Sequence, residues 1–166
     1  MRLVEFNTAP RDEVLGLLRA CADVERWAEE VAEARPFAGV ANVLGAARTA
    51  ARPWTDTEID AALAGHPRIG ERAEGTGPGA AMSRREQSGV DTGGDVQERL
   101  RAGNLAYEER FGHVFLIRAA GRSAAEILAS LDERLTHTPE QERRTAAEQL
   151  REIAVLRLET LLEGTP

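Results

Sequence analysis

The 166-residue chain carries 28 acidic against 21 basic residues, and a net charge of -7 excludes a general nucleic-acid binder, whose affinity comes from cations set against phosphates. Every basic residue is arginine, which closes off chemistry that needs a lysine amine: a Schiff base to pyridoxal phosphate or to a carbonyl substrate, and the lysine of a phosphate-binding loop. Cys21 is the single cysteine, so no disulfide framework forms within the chain, and the length suits one domain that buries its core without disulfides or metals.

Thr8-Ala9-Pro10-Arg11 reads as the start of the first helix, followed by Val14, Leu17, Leu18 and Cys21 at helical spacing. Among those apolar neighbours Cys21 reads as a small core residue in a reducing compartment. Val24 to Ala34 places Trp27 and Val31 on one face and stops before Pro36, and Phe37 to Arg52 carries Val40, Val43, Leu44 and Ala47 as its stripe until Pro53 ends it. Thr55-Asp56-Thr57-Glu58 has the residue types and spacing of a capping box, which predicts a helix from about Asp56 to Gly65.

That helix delivers His66-Pro67-Arg68-Ile69-Gly70. Histidine exchanges protons near neutral pH, and Pro67 fixes its own φ while pushing His66 out of the helical region, so the imidazole is expected to project from a stiff corner. A histidine before a proline is also a common ordinary helix end, and the pentapeptide alone does not choose. Arg72 to Gly79, with Gly75, Gly77, Pro78 and Gly79, is expected to be a flexible loop, either a lid over whatever binds near His66 or a solvated connector. Ala80 to Ser88 then reads as a short helix closed by Gly89. On it Ser83, Glu86 and Gln87 stand at i, i+3 and i+4, so a hydroxyl, a carboxylate and an amide share one face; a solvated polar face is the alternative.

Asp95 to Arg110 reads as another helix, with Leu100, Leu105 and Tyr107, leading into Phe111-Gly112-His113. Val114 to Ile117 is an apolar run too short for a helix and is expected to be a buried extended connector. The backbone amides of Ile117, Arg118, Ala119, Ala120 and Gly121 then stand open to a ligand, because no helix ladder uses them. Ser123-Ala124-Ala125-Glu126 caps a helix with Ile127, Leu128, Leu131 and Leu135 inward, and Thr138-Pro139-Glu140-Gln141 starts the last and longest helix, to about Leu162. Leu150, Ala154, Arg157 and Leu161 are spaced by four, three and four, which puts Arg157 inside an apolar stripe. It either snorkels at the rim of the core or aims its planar fork at Glu86 or at a planar, oxygen-rich ligand.

The expectation is an all-α, single-domain helical bundle of about eight helices spanning residues 1–166, without sheet, repeat or transmembrane element. The N-terminus lacks a basic region followed by an apolar run, no stretch approaches the roughly 20 apolar residues that cross a bilayer, and the ending is not of the peroxisomal kind; a soluble cytoplasmic protein is expected. His66, His113 and His137 fit no local metal-ligand spacing, so no metal is expected. A serine hydrolase based on Ser83 lacks the Gly-x-Ser-x-Gly elbow, since Ala81-Met82-Ser83-Arg84-Arg85 lies in a helical pattern.

Taken together, His66-Pro67-Arg68-Ile69-Gly70, Ser83 with Glu86-Gln87-Ser88-Gly89, Asn104 with Tyr107-Glu108 and Arg110-Phe111-Gly112-His113, and the helix containing Leu156-Arg157-Leu158 resemble the 2-oxo-4-hydroxy-4-carboxy-5-ureidoimidazoline (OHCU) decarboxylases of uric acid degradation. The resemblance spans almost the whole chain. It implies an all-helical fold, a homodimer, and conversion of OHCU to (S)-allantoin and carbon dioxide without a cofactor. By position it implies that His66 is the proton donor, with Pro67 shaping the pocket wall. Ser83, Glu86 and Gln87 match substrate contacts, as does the backbone from Ile117 through Arg118, Ala119 and Ala120 to Gly121, and Glu86 is set beside His66 as the second catalytic residue. Arg84 and Arg85 on the same helical segment, Phe111 and Arg157 complete the expected substrate-binding set.

The chemistry agrees with a chain that has no lysine. Carbon dioxide leaves only if the electrons left behind have a sink, and in this substrate a carbon–nitrogen double bond lies next to the carboxylate-bearing carbon, so the ring takes up the charge. What remains for the protein is to orient the ring and to put a proton on one face of the enol-like carbon. An imidazole suits that step, with Glu86 orienting it or bonding the substrate's ureido and ring nitrogens.

Overall fold

The computed structural model describes residues 1–70, 77–88 and 93–163. Among them run nine helices and no strand: α1 (Leu3–Thr8), α2 (Arg11–Cys21), α3 (Glu25–Glu33), α4 (Val40–Ala50), α5 (Asp56–Ala64), α6 (Pro78–Glu86), α7 (Gly94–Phe111), α8 (Ala124–Arg134) and α9 (Pro139–Glu163). The all-α class is as the sequence predicts. The additional helix is α1. Thr8 is not the cap of the following helix: its hydroxyl bonds back to the Val4 carbonyl at 2.8 Å and closes α1, while Pro10 stands at the N-cap of α2.

Three helices start where short hydroxyl side chains answer the unpaired amides of a first turn. Thr55 accepts from Glu58 N–H at 3.2 Å while Glu58 Oε2 accepts from Thr55 N–H at 2.7 Å, and Ser123 with Glu126 and Thr138 with Gln141 repeat the exchange. α7 ends on Gly112 in the left-handed region, φ +75°, where a residue without Cβ meets no penalty.

The chain divides into two compact units, one comprising Met1–Ala62 with the stretch from Arg151 onward, the other Leu63–Leu150. In the first, α3 packs on both α2 and α4. Phe6, Val14, Leu18, Trp27, Val31, Val43, Ala47 and Leu158 are sealed from solvent. The Trp27 indole N–H donates to the Ala47 carbonyl at 2.9 Å, and its ring meets Trp54 edge-on. Arg26 ties this unit together, donating to both oxygens of Glu58 at 2.9 and 3.1 Å, to Glu30 at 2.9 Å and to the Pro53 carbonyl at 3.0 Å. The Arg26 guanidinium, foremost among its neighbours, holds the Glu58 carboxyl below the usual carboxylate range.

In the second unit α7 packs on α8 over a core of Ile69, Leu100, Tyr107, Phe115, Ile117, Ala119, Ile127, Leu128 and Leu131. Residues 114–119 are non-helical, with Phe115, Leu116 and Ile117 buried.

Candidate active site

α5 stops at Ala64, and the His66 N–H reaches back to the Leu63 carbonyl at 3.1 Å as a last helical gesture before Pro67 turns the chain away. His66 is half-buried, and its Nε2 is enclosed. The corner ends at Gly70, whose φ of +84° is open to glycine; a Cβ there would also press to 3.3 Å from Leu100 Cδ1.

Three neighbours grip this corner. Glu108 takes Arg68 Nε and Nη2 on its two oxygens at 2.6 and 2.9 Å, and the hydrogen bonds from Arg68, foremost, lower the Glu108 carboxyl below its ordinary range. Asn104, 2% exposed, donates Nδ2 to the Ile69 carbonyl at 2.9 Å. The Gly70 N–H donates to Gln87 Oε1 at 2.9 Å, which fastens the histidine corner to the end of α6.

α6 carries the expected polar face. Ser83 is buried, Glu86 is its last residue and half-buried, and Gln87 is the C-cap. Arg84 is half-buried and Arg85 exposed. Gly77 is the N-cap and Pro78 the first residue, so α6 starts two residues earlier than the expected Ala80, because proline at a first helical position gives up no bonded amide. Of the expected loop from Arg72 to Gly79, residues 72–76 lie outside the described residues, as does Gly89.

The segment from Ile117 to Gly121 is held by side chains from elsewhere. Ile117 and Ala119 are buried, Arg118 and Ala120 half-buried and Gly121 exposed. No helix ladder uses these amides, yet not all stand open: Arg118 N–H donates to Gln149 Oε1 at 2.9 Å. The Leu116 carbonyl just before accepts from Arg134 Nη1 at 2.7 Å.

Sequence reasoning missed the anchor behind this segment. Arg134 and Glu142 form a buried ion pair, side chains 4% and 0% exposed, and the Tyr107 hydroxyl and His137 Nδ1 share the same carboxylate. Burial first, then the bond to Glu142, keeps the Tyr107 phenol protonated far above its ordinary range. A signal existed for Arg134, which falls seven residues after Ile127 and three after Leu131 on the inward stripe. Glu142 and Gln149 carried none, since each sits among the many polar residues of α9.

Phe111, the last residue of α7, lies 4.7 Å from the Tyr107 ring, with the Arg110 guanidinium 5.3 Å over its own. Arg157 is buried, as its stripe implied, with Nη1 3.5 Å from the Ala20 carbonyl; it belongs to the first unit, whereas His66 and Glu86 belong to the second. Among the described residues no group of three His, Cys, Asp or Glu stands together as a metal site.

The family model for OHCU decarboxylase matches residues 7–159. The chain belongs to the OHCU decarboxylase family. An OHCU decarboxylase of Haloferax volcanii is 30% identical over 160 residues, covering 95% of this chain and 94% of that protein. An OHCU decarboxylase of Amia calva is 37% identical over 102 residues, 59% of this chain and 58% of the relative. A crystal structure of OHCU decarboxylase in the presence of (S)-allantoin superposes with a TM-score of 0.75 at 25% identity, covering 90% of this chain and 99% of that one. Membership of the OHCU decarboxylase family makes this an enzyme of urate degradation, and the all-α architecture of the described residues matches that family's fold. No helix of the described residues is long and apolar enough to cross a membrane.

Proposed function

We propose that this chain converts OHCU to (S)-allantoin and carbon dioxide, with His66 as the proton donor and Glu86 orienting the imidazole or the substrate. The observation that carries the reading is the Gly70 N–H to Gln87 Oε1 bond, which fastens the histidine corner to the helix end that bears Ser83, Glu86 and Gln87. That bond supports a reading in which a proton donor, a hydroxyl, a carboxylate and an amide serve one small ligand rich in ureido nitrogens and carbonyl oxygens.

The electron flow is internal to the substrate. As the bond to the carboxylate breaks, its electron pair forms a carbon–carbon double bond and the neighbouring carbon–nitrogen double bond passes its pair to nitrogen, which takes up a proton. The resulting enol returns to a ketone by losing its hydroxyl proton while the adjacent carbon gains one from His66. That last transfer sets the stereocentre, so one fixed imidazole face gives one hand of product. Pro67 keeps the corner stiff. Arg84, Arg85, Phe111, Arg157 and the backbone from Ile117 to Gly121 are the further substrate contacts of this reading, and a cytoplasmic homodimer is its setting.

The test is freshly generated OHCU mixed with purified protein, allantoin being followed by circular dichroism. The expected result is (S)-allantoin formed well above the spontaneous rate, with His66→Ala and Glu86→Ala folded but slower by about 10²–10⁴-fold, the usual worth of positioned proton transfer. A protein that leaves the spontaneous rate unchanged is a binding module, and a fully active His66→Ala removes the donor role.

A further inference from the structure

We infer that Asn104 and Glu108 are positioning residues that set the direction from which His66 delivers its proton, an inference that rests on the decarboxylation proposed above. α7 presents the two at i and i+4, on one helix face, and each takes hold of a different residue of the His66 corner. Asn104 fixes the backbone at the Ile69 carbonyl, and Glu108 fixes Arg68 through a two-pronged pairing whose planar fork admits one orientation. With Gly70 fastened to Gln87, three successive residues after Pro67 are each held from outside the corner. His66 therefore inherits its direction from a frame and not from its own rotamer alone.

Stability is not the whole use of either contact. The Arg68–Glu108 pair is partly exposed, side chains 38% and 23%, and pairs in that position contribute little to folding. Asn104 is buried with its Oδ1 also enclosed and meeting no hydrogen bond, so the amide carries one unmet acceptor beside its single bond, to the Ile69 carbonyl, which a leucine of similar size would leave without a donor. An amide retained at that cost has its use in the one bond it makes, to the corner.

Asn104→Leu and Glu108→Gln test this by a pattern that a structural role does not give. The expected result is a melting temperature close to the wild type in Glu108→Gln and lower in Asn104→Leu, whose Ile69 carbonyl loses its donor, with KM within about twofold, kcat lowered about tenfold or more and allantoin of reduced enantiomeric purity by circular dichroism in both, since a displaced donor loses rate steeply and loses its face. Unchanged kcat and product purity in both folded variants overturns the inference, as does a rise in KM alone. If Asn104→Leu does not fold, the half-exposed Glu108→Gln carries the test. Should the wild type fail to form allantoin from OHCU, the proposed reaction falls, and the inference is then read from the His66 ring signal by NMR, assigned by its loss in His66→Asn. Broadening or doubling of that signal in Asn104→Leu and Glu108→Gln supports the frame, and one sharp unshifted signal in both rejects it.

Discussion

A Cβ placed on Gly103 would stand 2.4 Å from Cδ2 of Leu131 and 3.2 Å from its Cγ. α7 and α8 touch here without room for a methyl group unless Leu131, 1% exposed in the core, shifts its side chain. Alanine is favoured over glycine inside a helix by about 1 kcal/mol, whereas overpacking a finished core costs about 1–3 kcal/mol. Gly103→Ala is therefore expected to destabilise by a net ~1 kcal/mol, a melting shift of about 2–4 °C for a chain of this size. In a Leu131→Ala background the same change is expected to be neutral or stabilising, and a thermal double-mutant cycle reads the sign.

Removing Glu142 should cost far more than removing a surface carboxylate. It pairs with Arg134 and accepts from Tyr107 and His137, so Glu142→Ala strands a buried guanidinium, at about 3–5 kcal/mol. Tyr107→Phe removes one donor while the ion pair remains, at about 1–2 kcal/mol. Urea unfolding of both variants decides; a Glu142→Ala loss under about 1 kcal/mol would show that Arg134 finds another partner.

Acid should loosen the first unit through Glu58. Arg26 depresses the folded carboxyl below its ordinary value of 4.5, so the unfolded chain binds this proton more readily than the folded one. The contribution is fully present above the ordinary carboxylate range and disappears as pH falls through the depressed value. Glu108, depressed by Arg68, adds the same sign in the second unit. Unfolding free energy measured from pH 7 downward is expected to fall below about pH 4.5 in the wild type and less steeply in Glu58→Gln. Parallel curves for the two proteins would contradict the assignment.

Helix positions were legible wherever local chemistry governs them: Thr55, Ser123 and Thr138 announce their helices, and Asp56–Ala64 ends one residue short of the predicted Gly65. α1 was not legible because Thr8, a good cap by type, serves as a helix end. At the candidate site the Pro67 corner and the shared face of Ser83, Glu86 and Gln87 were readable as local geometry, while their proposed roles came only with the family resemblance. The bonds that hold them were not, since Asn104 to Ile69 and Arg68 to Glu108 join residues 35 and 40 apart in sequence, a distance at which no periodicity speaks. The amide of Arg118 shows the same limit: an extended segment announces unused donors, and only the fold reveals that Gln149 meets one of them.

The three histidines should separate cleanly by role. His137 Nδ1 faces Glu142 Oε2 at 2.9 Å and His113 Nδ1 faces the Val114 carbonyl at 3.1 Å, so each has a ring nitrogen committed to a structural partner. His66 stands at the corner built by Arg68, Ile69 and Gly70. A hydrolase that recruits all three to one metal would lose activity with each substitution and with exhaustive chelation. A proton donor acting alone gives another pattern: kcat collapses in His66→Gln, stays within about twofold in His113→Gln and His137→Gln assayed well below their melting temperatures, and survives EDTA treatment followed by gel filtration. His137→Gln is expected to lower the melting temperature, because Glu142 loses a partner, while leaving turnover intact. Loss of turnover in His113→Gln at unchanged stability would place a second imidazole in the reaction and break the single-donor scheme.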